Sequence, residues 1–182
     1  TKYNSYTHTK IITPINEPRQ SVHAVLCIDT SSSMCTSASI QGQEDTGLNI
    51  LDLAKHCAKV FVDSLNHTDF ITIISYNTNS RIVIDSLNMT DTNKETAKVA
   101  ISALHHGGCT NIWGALKQGL DCINKTKNSL SKVFLFTDGQ PTHSPPRGEM
   151  YYLEKYIESG ENVNISTFGF SSEVNHNLLN NI

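Results

Sequence analysis

This 182-residue chain has no long apolar run, no basic stripe and no C-x-x-C pair. No stretch approaches the ~18 consecutive apolar residues of a membrane-spanning helix, and the opening Thr-Lys-Tyr-Asn-Ser-Tyr-Thr-His lacks the apolar core of a signal peptide. The expectation is therefore no membrane association. Only 17% of residues are charged and the formal net charge is -3, so there is no electrostatic footprint for general nucleic-acid binding. The G-x-x-x-x-G-K-[ST] phosphate loop, the G-x-S-x-G nucleophile turn and the H-E-x-x-H metalloprotease helix are also missing, as are internal repeats and low-complexity segments. These absences leave a globular domain with 38% hydrophobic residues, long enough for one core that buries roughly 70% of the unfolded chain's surface.

Cysteine is present in an odd number, at Cys27, Cys35, Cys57, Cys109 and Cys122. Cys27 sits in an apolar run, and Cys57 and Cys122 fall on helical patterns. Buried free thiols in a reducing, intracellular setting are expected in preference to a disulfide framework. The N-x-[ST] sequons at Asn66, Asn88, Asn124 and Asn164 do not count against that, because 17 asparagines produce about three or four by chance.

Strand-like and helix-like segments alternate along the chain. Val22 to Ile28 is a short apolar run ending at Asp29, as a strand buried on both faces would be. Leu48, Leu51, Ala54, Ala58, Phe61, Val62 and Leu65 recur at helical steps. Phe70 to Tyr76 reads as a second strand, turning through Asn77-Thr78-Asn79 into a short edge strand at Arg81 to Ile84. Helices are expected over Asp91 to Leu104, Ile112 to Ile123 and Glu149 to Ser159, with further strands at Lys132 to Phe136 and Asn164 to Phe168. This order predicts an α/β, doubly wound, mainly parallel sheet with helices on both faces. Residues 1–21 are expected to be an extension whose Lys10 to Ile15 could add an edge strand, limited by Pro14 and Pro18, and 22–182 to be the domain. After Phe170 only a short helix-like piece, Val174 to Ile182, remains, so the last strand and helix of such a fold are expected to be lacking.

In a doubly wound sheet, ligands gather at the carboxyl ends of the strands. Three loops expected there are Asp29-Thr30-Ser31-Ser32-Ser33-Met34, Gly107-Gly108-Cys109-Thr110-Asn111 and Thr137-Asp138-Gly139-Gln140-Pro141-Thr142. Together they offer two carboxylates and three hydroxyls. Hard oxygen ligands suit Mg²⁺, with Mn²⁺ or Ca²⁺ as alternatives, and disfavour zinc. With so few carboxylates the metal stays electron-poor, and an open position would attract an acidic oxygen from a partner. For the first loop alone, hydroxyls that merely satisfy a turn or cap the next helix are an equally good account.

These residues resemble the von Willebrand factor A (VWA) domain with its metal-ion-dependent adhesion site. The family pattern D-x-S-x-S is matched by Asp29, Ser31 and Ser33, its later Thr by Thr110, and its T/S-D-G Asp by Asp138. The resemblance implies that the Ser and Thr hydroxyls touch the metal and that the two Asp act through water. A partner protein's Asp or Glu would complete the octahedron. Gly108, Asn111, Gln140 and His143 form the expected partner-binding rim. A narrower likeness, in Gly47 to His56, Thr110 to Leu116 and Asp138 to Thr142, is to VWA domains coupled to Hint-type or U-box domains, which implies an intracellular, ubiquitin-linked setting. Two rival readings stand beside this one. A scaffold VWA domain would bind through another face without metal. A haloacid-dehalogenase-like Mg²⁺ phosphotransfer enzyme would need a second Asp where Ser31 stands, so the reading taken is not an enzyme.

Overall fold

A computed structural model describes residues 19–38, 47–125, 130–139, 141–171 and 174–182. The expected strand at Lys10 to Ile15 and most of the Met34 to Gly47 segment lie outside these residues. Five strands, β1 (Val22–Asp29), β2 (Phe70–Tyr76), β3 (Ser80–Asn88), β4 (Leu130–Thr137) and β5 (Ile165–Gly169), form one sheet in the order β3-β2-β1-β4-β5. β1 pairs in parallel with both β2 and β4, β5 adds in parallel to β4, and β3 alone is antiparallel. The helices are α1 (Ile50–Ser64), α2 (Asp91–Ser102), α3 (Ile112–Lys125), α4 (Gly148–Glu158) and α5 (His176–Asn181).

The central position of β1 explains its unbroken apolar sequence. Leu26 and Ile28 pack on one face with Ala54, Ala58 and Val62 of α1 and with Ala97 and Ile101 of α2. Val25 and Cys27 pack on the other with Leu116 and Leu120 of α3, Leu153 of α4 and Leu179. Alternate side chains thus serve two cores, and a strand covered on both faces has no solvent side to make polar. α3 comes especially close to the sheet at Gly119, where a Cβ would lie 3.0 Å from Cys27 Sγ and 3.1 Å from Val133 Cγ1.

Local chemistry sets the helix starts. Asn49 and Asp52 form a reciprocal capping box, with Asp52 N–H donating to Asn49 Oδ1 at 2.9 Å and Asn49 N–H to Asp52 Oδ2 at 3.1 Å. The helix therefore begins after Leu48, which is 45% exposed and does not join the apolar face expected of it. Cys57 likewise lies on the solvent side of α1, so the expectation of a buried thiol there is corrected. None of the five cysteines is in a disulfide; Cys27 and Cys122 are buried, and Cys35, Cys57 and Cys109 are exposed. Among the described residues, no helix is long and apolar enough to cross a membrane.

At the amino end of the sheet, the buried Asp69 ties three segments together. Its Oδ1 accepts from Val22 N–H at 2.9 Å and from Arg19 at 2.7 Å, and its Oδ2 accepts from Asn66 N–H at 2.8 Å. Burial pushes its pKa up, but these hydrogen bonds and the Arg19 charge outweigh burial and hold it below the usual carboxylate range.

Candidate metal centre

The opposite, carboxyl end of the sheet is built around Asp29, the last residue of β1 and fully buried. Its carboxylate accepts from Ser31 N–H at 2.8 Å, which turns the chain out of the strand, and from Thr137 Oγ1 at 2.9 Å across from the end of β4. Tyr76, its neighbour at the end of β2, donates its hydroxyl at 3.3 Å. Thr137 Oγ1 also accepts from Gly139 N–H at 2.9 Å, which fixes the turn that carries Asp138. Asp138 is itself buried. Burial pushes the Asp29 pKa up to about 6; the hydrogen bonds from Ser31 oppose the rise, and the negative charge of Asp138 adds to it. Two acidic residues thus lie close enough to repel.

The hydroxyls lie beside them. Ser31 and Ser33 hold their Oγ atoms 3.1 Å apart, Ser31 buried and Ser33 exposed in a 3-10 turn, Ser32–Cys35. Thr110 reaches the same end of the sheet through backbone contacts. Gly107 N–H donates to Thr30 O at 2.7 Å, and Ser32 N–H donates back to Gly108 O at 3.0 Å. Thr110 N–H donates to Thr142 Oγ1 at 2.8 Å, while its carbonyl accepts from the N–H groups of Thr142 and His143, both at 3.1 Å. Thr110 is itself buried. The second and third loops are therefore laced to each other, and the second is laced to the first.

Of the expected rim, Gly108 and His143 are exposed, Asn111 is half-buried, and Gln140 lies outside the described residues. Asn111 is held by Asn77, whose carbonyl accepts its N–H at 2.9 Å, and its Oδ1 accepts from Gly114 N–H at 2.9 Å. Sequence reasoning had no role for Tyr76, Thr137 or Thr142. The only available sign was a polar-tipped residue closing an apolar strand in each of the first two cases. Trp113, expected in the core, packs half-buried against Tyr152 with ring centroids 5.7 Å apart.

The donor set fits a hard divalent cation. Among the described residues, no group of three or more His, Cys, Asp or Glu is placed to hold a metal. Any cation here would be held mainly by hydroxyl and water oxygens, with two carboxylates to balance its charge. Conversely, a cation would offset the burial, and the lesser repulsion from Asp138, that raise Asp29.

An open, mostly parallel sheet with helices on both faces defines an α/β domain of the doubly wound class, with hydroxyls and two acidic residues gathered at its carboxyl end. The chain belongs to the von Willebrand factor type A domain family, whose model matches residues 24–140. Inter-alpha-trypsin inhibitor heavy chain H3 of Mus musculus is 26% identical over 163 residues, covering 85% of this chain. The chain spans only 17% of that relative's length. Proximal thread matrix protein 1 from the mussel byssus, with a zinc-occupied metal-ion-dependent adhesion site, has a similar fold with a TM-score of 0.68 at 18% identity, over 90% of this chain and 39% of that one. The manganese-loaded TRAP protein of Plasmodium vivax is similar with a TM-score of 0.61 at 16% identity, over 87% of this chain and 60% of that one.

Proposed function

We propose that this domain is a metal-dependent protein-binding module, in which Mg²⁺ bridges the site to an Asp or Glu side chain of a partner protein. Ser31, Ser33 and Thr110 would supply hydroxyl ligands, and Asp29 and Asp138 would act through water. The observation that carries the reading is the pairing of the Ser31 and Ser33 hydroxyls at 3.1 Å beside a buried Asp29 whose carboxylate is already engaged by three neighbours. Such a carboxylate orients water and balances charge more readily than it ligates directly. Zinc at the metal-ion-dependent adhesion site of a mussel protein of similar fold, and manganese in a Plasmodium one, support a divalent cation here.

The same geometry disfavours catalysis. Asp29 is sealed by its hydrogen bonds, and among the described residues of the three loops the one other carboxylate, Asp138, is assigned to the cation, so the domain is read as one that binds rather than turns over. An intracellular, ubiquitin-linked setting belongs to the same proposal. Calorimetric titration of the metal-stripped domain with Mg²⁺ and Mn²⁺ tests it, beside a Ser31→Ala, Ser33→Ala double variant. Saturable binding that the double variant loses is the expected result. Binding that persists in the double variant would remove the hydroxyl pair from the site, and partner capture unaffected by chelator would favour a metal-independent scaffold.

A further inference from the structure

Beside the candidate metal centre lies a second depression, a cavity of about 340 Å³ between the ends of β1 and β2, the start of β3 and the chain following α2. That volume is at the small end of the about 300–1,000 Å³ of ligand sites. Its lining includes Thr30, Ser75, Asn77, Asn79, Arg81 and His105, with no carboxylate among the described residues. Each of the chain's three arginines can be accounted for. Arg19 is spent on Asp69, and Arg147 donates to the Tyr151 hydroxyl at 2.7 Å and covers its ring. Arg81, exposed on the edge strand and paired through its backbone to β2, has no ion-pair or hydrogen-bond partner for its guanidinium among the described residues. The Asn79 carboxamide and the Ser75 hydroxyl are also uncommitted among the described residues. A pocket with unspent donors, one fixed positive charge and no carboxylate is suited to an anion.

The cavity adjoins the metal centre. Thr30, in its wall, stands between Asp29 and Ser31, and its carbonyl accepts from Gly107 N–H at 2.7 Å. Asn77, also in the wall, abuts Gly108, where a Cβ would meet Asn77 Cγ at 3.4 Å and Thr78 Oγ1 at 2.9 Å. Gly108 has φ +85°, and with no side chain there the ridge between the two sites stays low.

We infer that the cavity seats a second carboxylate of the same partner segment, so that the ligand is a diacidic peptide with one acid at the cation and the other at Arg81. This rests on the metal-bridged reading above. The test uses ¹⁵N-labelled domain in Mg²⁺ and peptides acetyl-Gly-Glu-(Gly)n-Glu-Gly-amide with zero to three intervening glycines, each beside its partner with the second Glu replaced by Gln. At one spacing the diacid should bind about threefold to fivefold more tightly, the size of an exposed charge pair. It should also shift the amides of Asn77, Asn79 and Arg81, which the monoacid leaves unmoved. Arg81→Gln should abolish that advantage without altering monoacid affinity, and Arg81→Lys should keep part of it. Equal affinities at every spacing, or an advantage that survives Arg81→Gln, overturns the second seat alone, provided binding still needs Mg²⁺. Binding indifferent both to chelator and to the Ser31→Ala, Ser33→Ala change overturns the metal reading, and the two-point seat with it.

Discussion

Asp69 and Asp29 are both buried, at opposite ends of one sheet, and their surroundings treat their charge in opposite ways. Asp69 has a guanidinium and two backbone N–H donors, which hold its pKa low despite burial. Asp29 has one backbone N–H, two neutral hydroxyls and a second acidic residue nearby, and its pKa rises to about 6. The first is a structural tie whose charge is satisfied within the fold. The second keeps a charge that the fold alone does not balance, which is the condition for recruiting a cation from outside.

The sharpest way to break this contrast is to remove each charge in turn. Asp29→Asn keeps an acceptor oxygen for Ser31 N–H but puts an N–H donor where Thr137 and Tyr76 now donate, and should lower Mg²⁺ affinity by about 100-fold in calorimetry while the metal-free domain still folds. Global unfolding would make Asp29 a structural residue like its counterpart. Asp69→Ala should do the reverse. It should cost about 2–3 kcal/mol in urea denaturation, because buried backbone donors lose a charged acceptor, and leave metal affinity intact.

The Asp69 contrast extends to pH. With its folded pKa depressed, its contribution is present above the unfolded value near 3.8 and is lost as pH falls through the lower folded value. Asp69→Ala should therefore flatten the acid limb of a stability–pH curve below about pH 4. A smaller effect comes from His23, buried near Asp69 on β1 with its Nε2 2.9 Å from Thr72 Oγ1. Burial lowers its pKa, with the Asp85 charge opposing, so its neutral form is favoured by folding. Stability from this group is full above the unfolded value of 6.5 and declines as pH falls through the folded one. Between pH 7 and pH 5 the melting temperature should drop by about 2 °C more in the wild type than in His23→Gln, read by calorimetric scanning.

The same contrast marks what could be read in advance. β2 is legible to the residue because Phe70 to Tyr76 is bounded by turn formers and needs no partner to explain it. Asp29, Ser31, Ser33, Thr110 and Asp138 are legible as candidates because a doubly wound sheet brings strand ends together. β3 runs nine residues, longer than Arg81 to Ile84, through an irregularity at Ser86, where φ is 45°. There Ser86 N–H donates to Thr72 Oγ1 at 3.0 Å, a contact that no local pattern encodes. Thr137 and Asp29 meet across 108 positions, and Asp69 finds Arg19 across 50. Such pairings depend on strand register, which the linear order of residues does not state. Leu48 and Cys57 show the converse limit: helical spacing places a residue near the apolar stripe without deciding on which side of its edge it falls.

The mutual lacing of the site loops has a consequence for how this domain can vary. Thr30, Ser32, Gly107, Gly108, Thr110, Thr142 and His143 spend backbone groups on one another, not on water. One residue inserted between Gly107 and Thr110 would displace the Thr110 carbonyl by about 3.4 Å and uncouple it from Thr142 and His143. Loop length at this end is thus fixed by its neighbours. Variation at Arg81, Asn79 or His143 is free of that constraint, because those side chains can change without a single backbone hydrogen bond being redrawn.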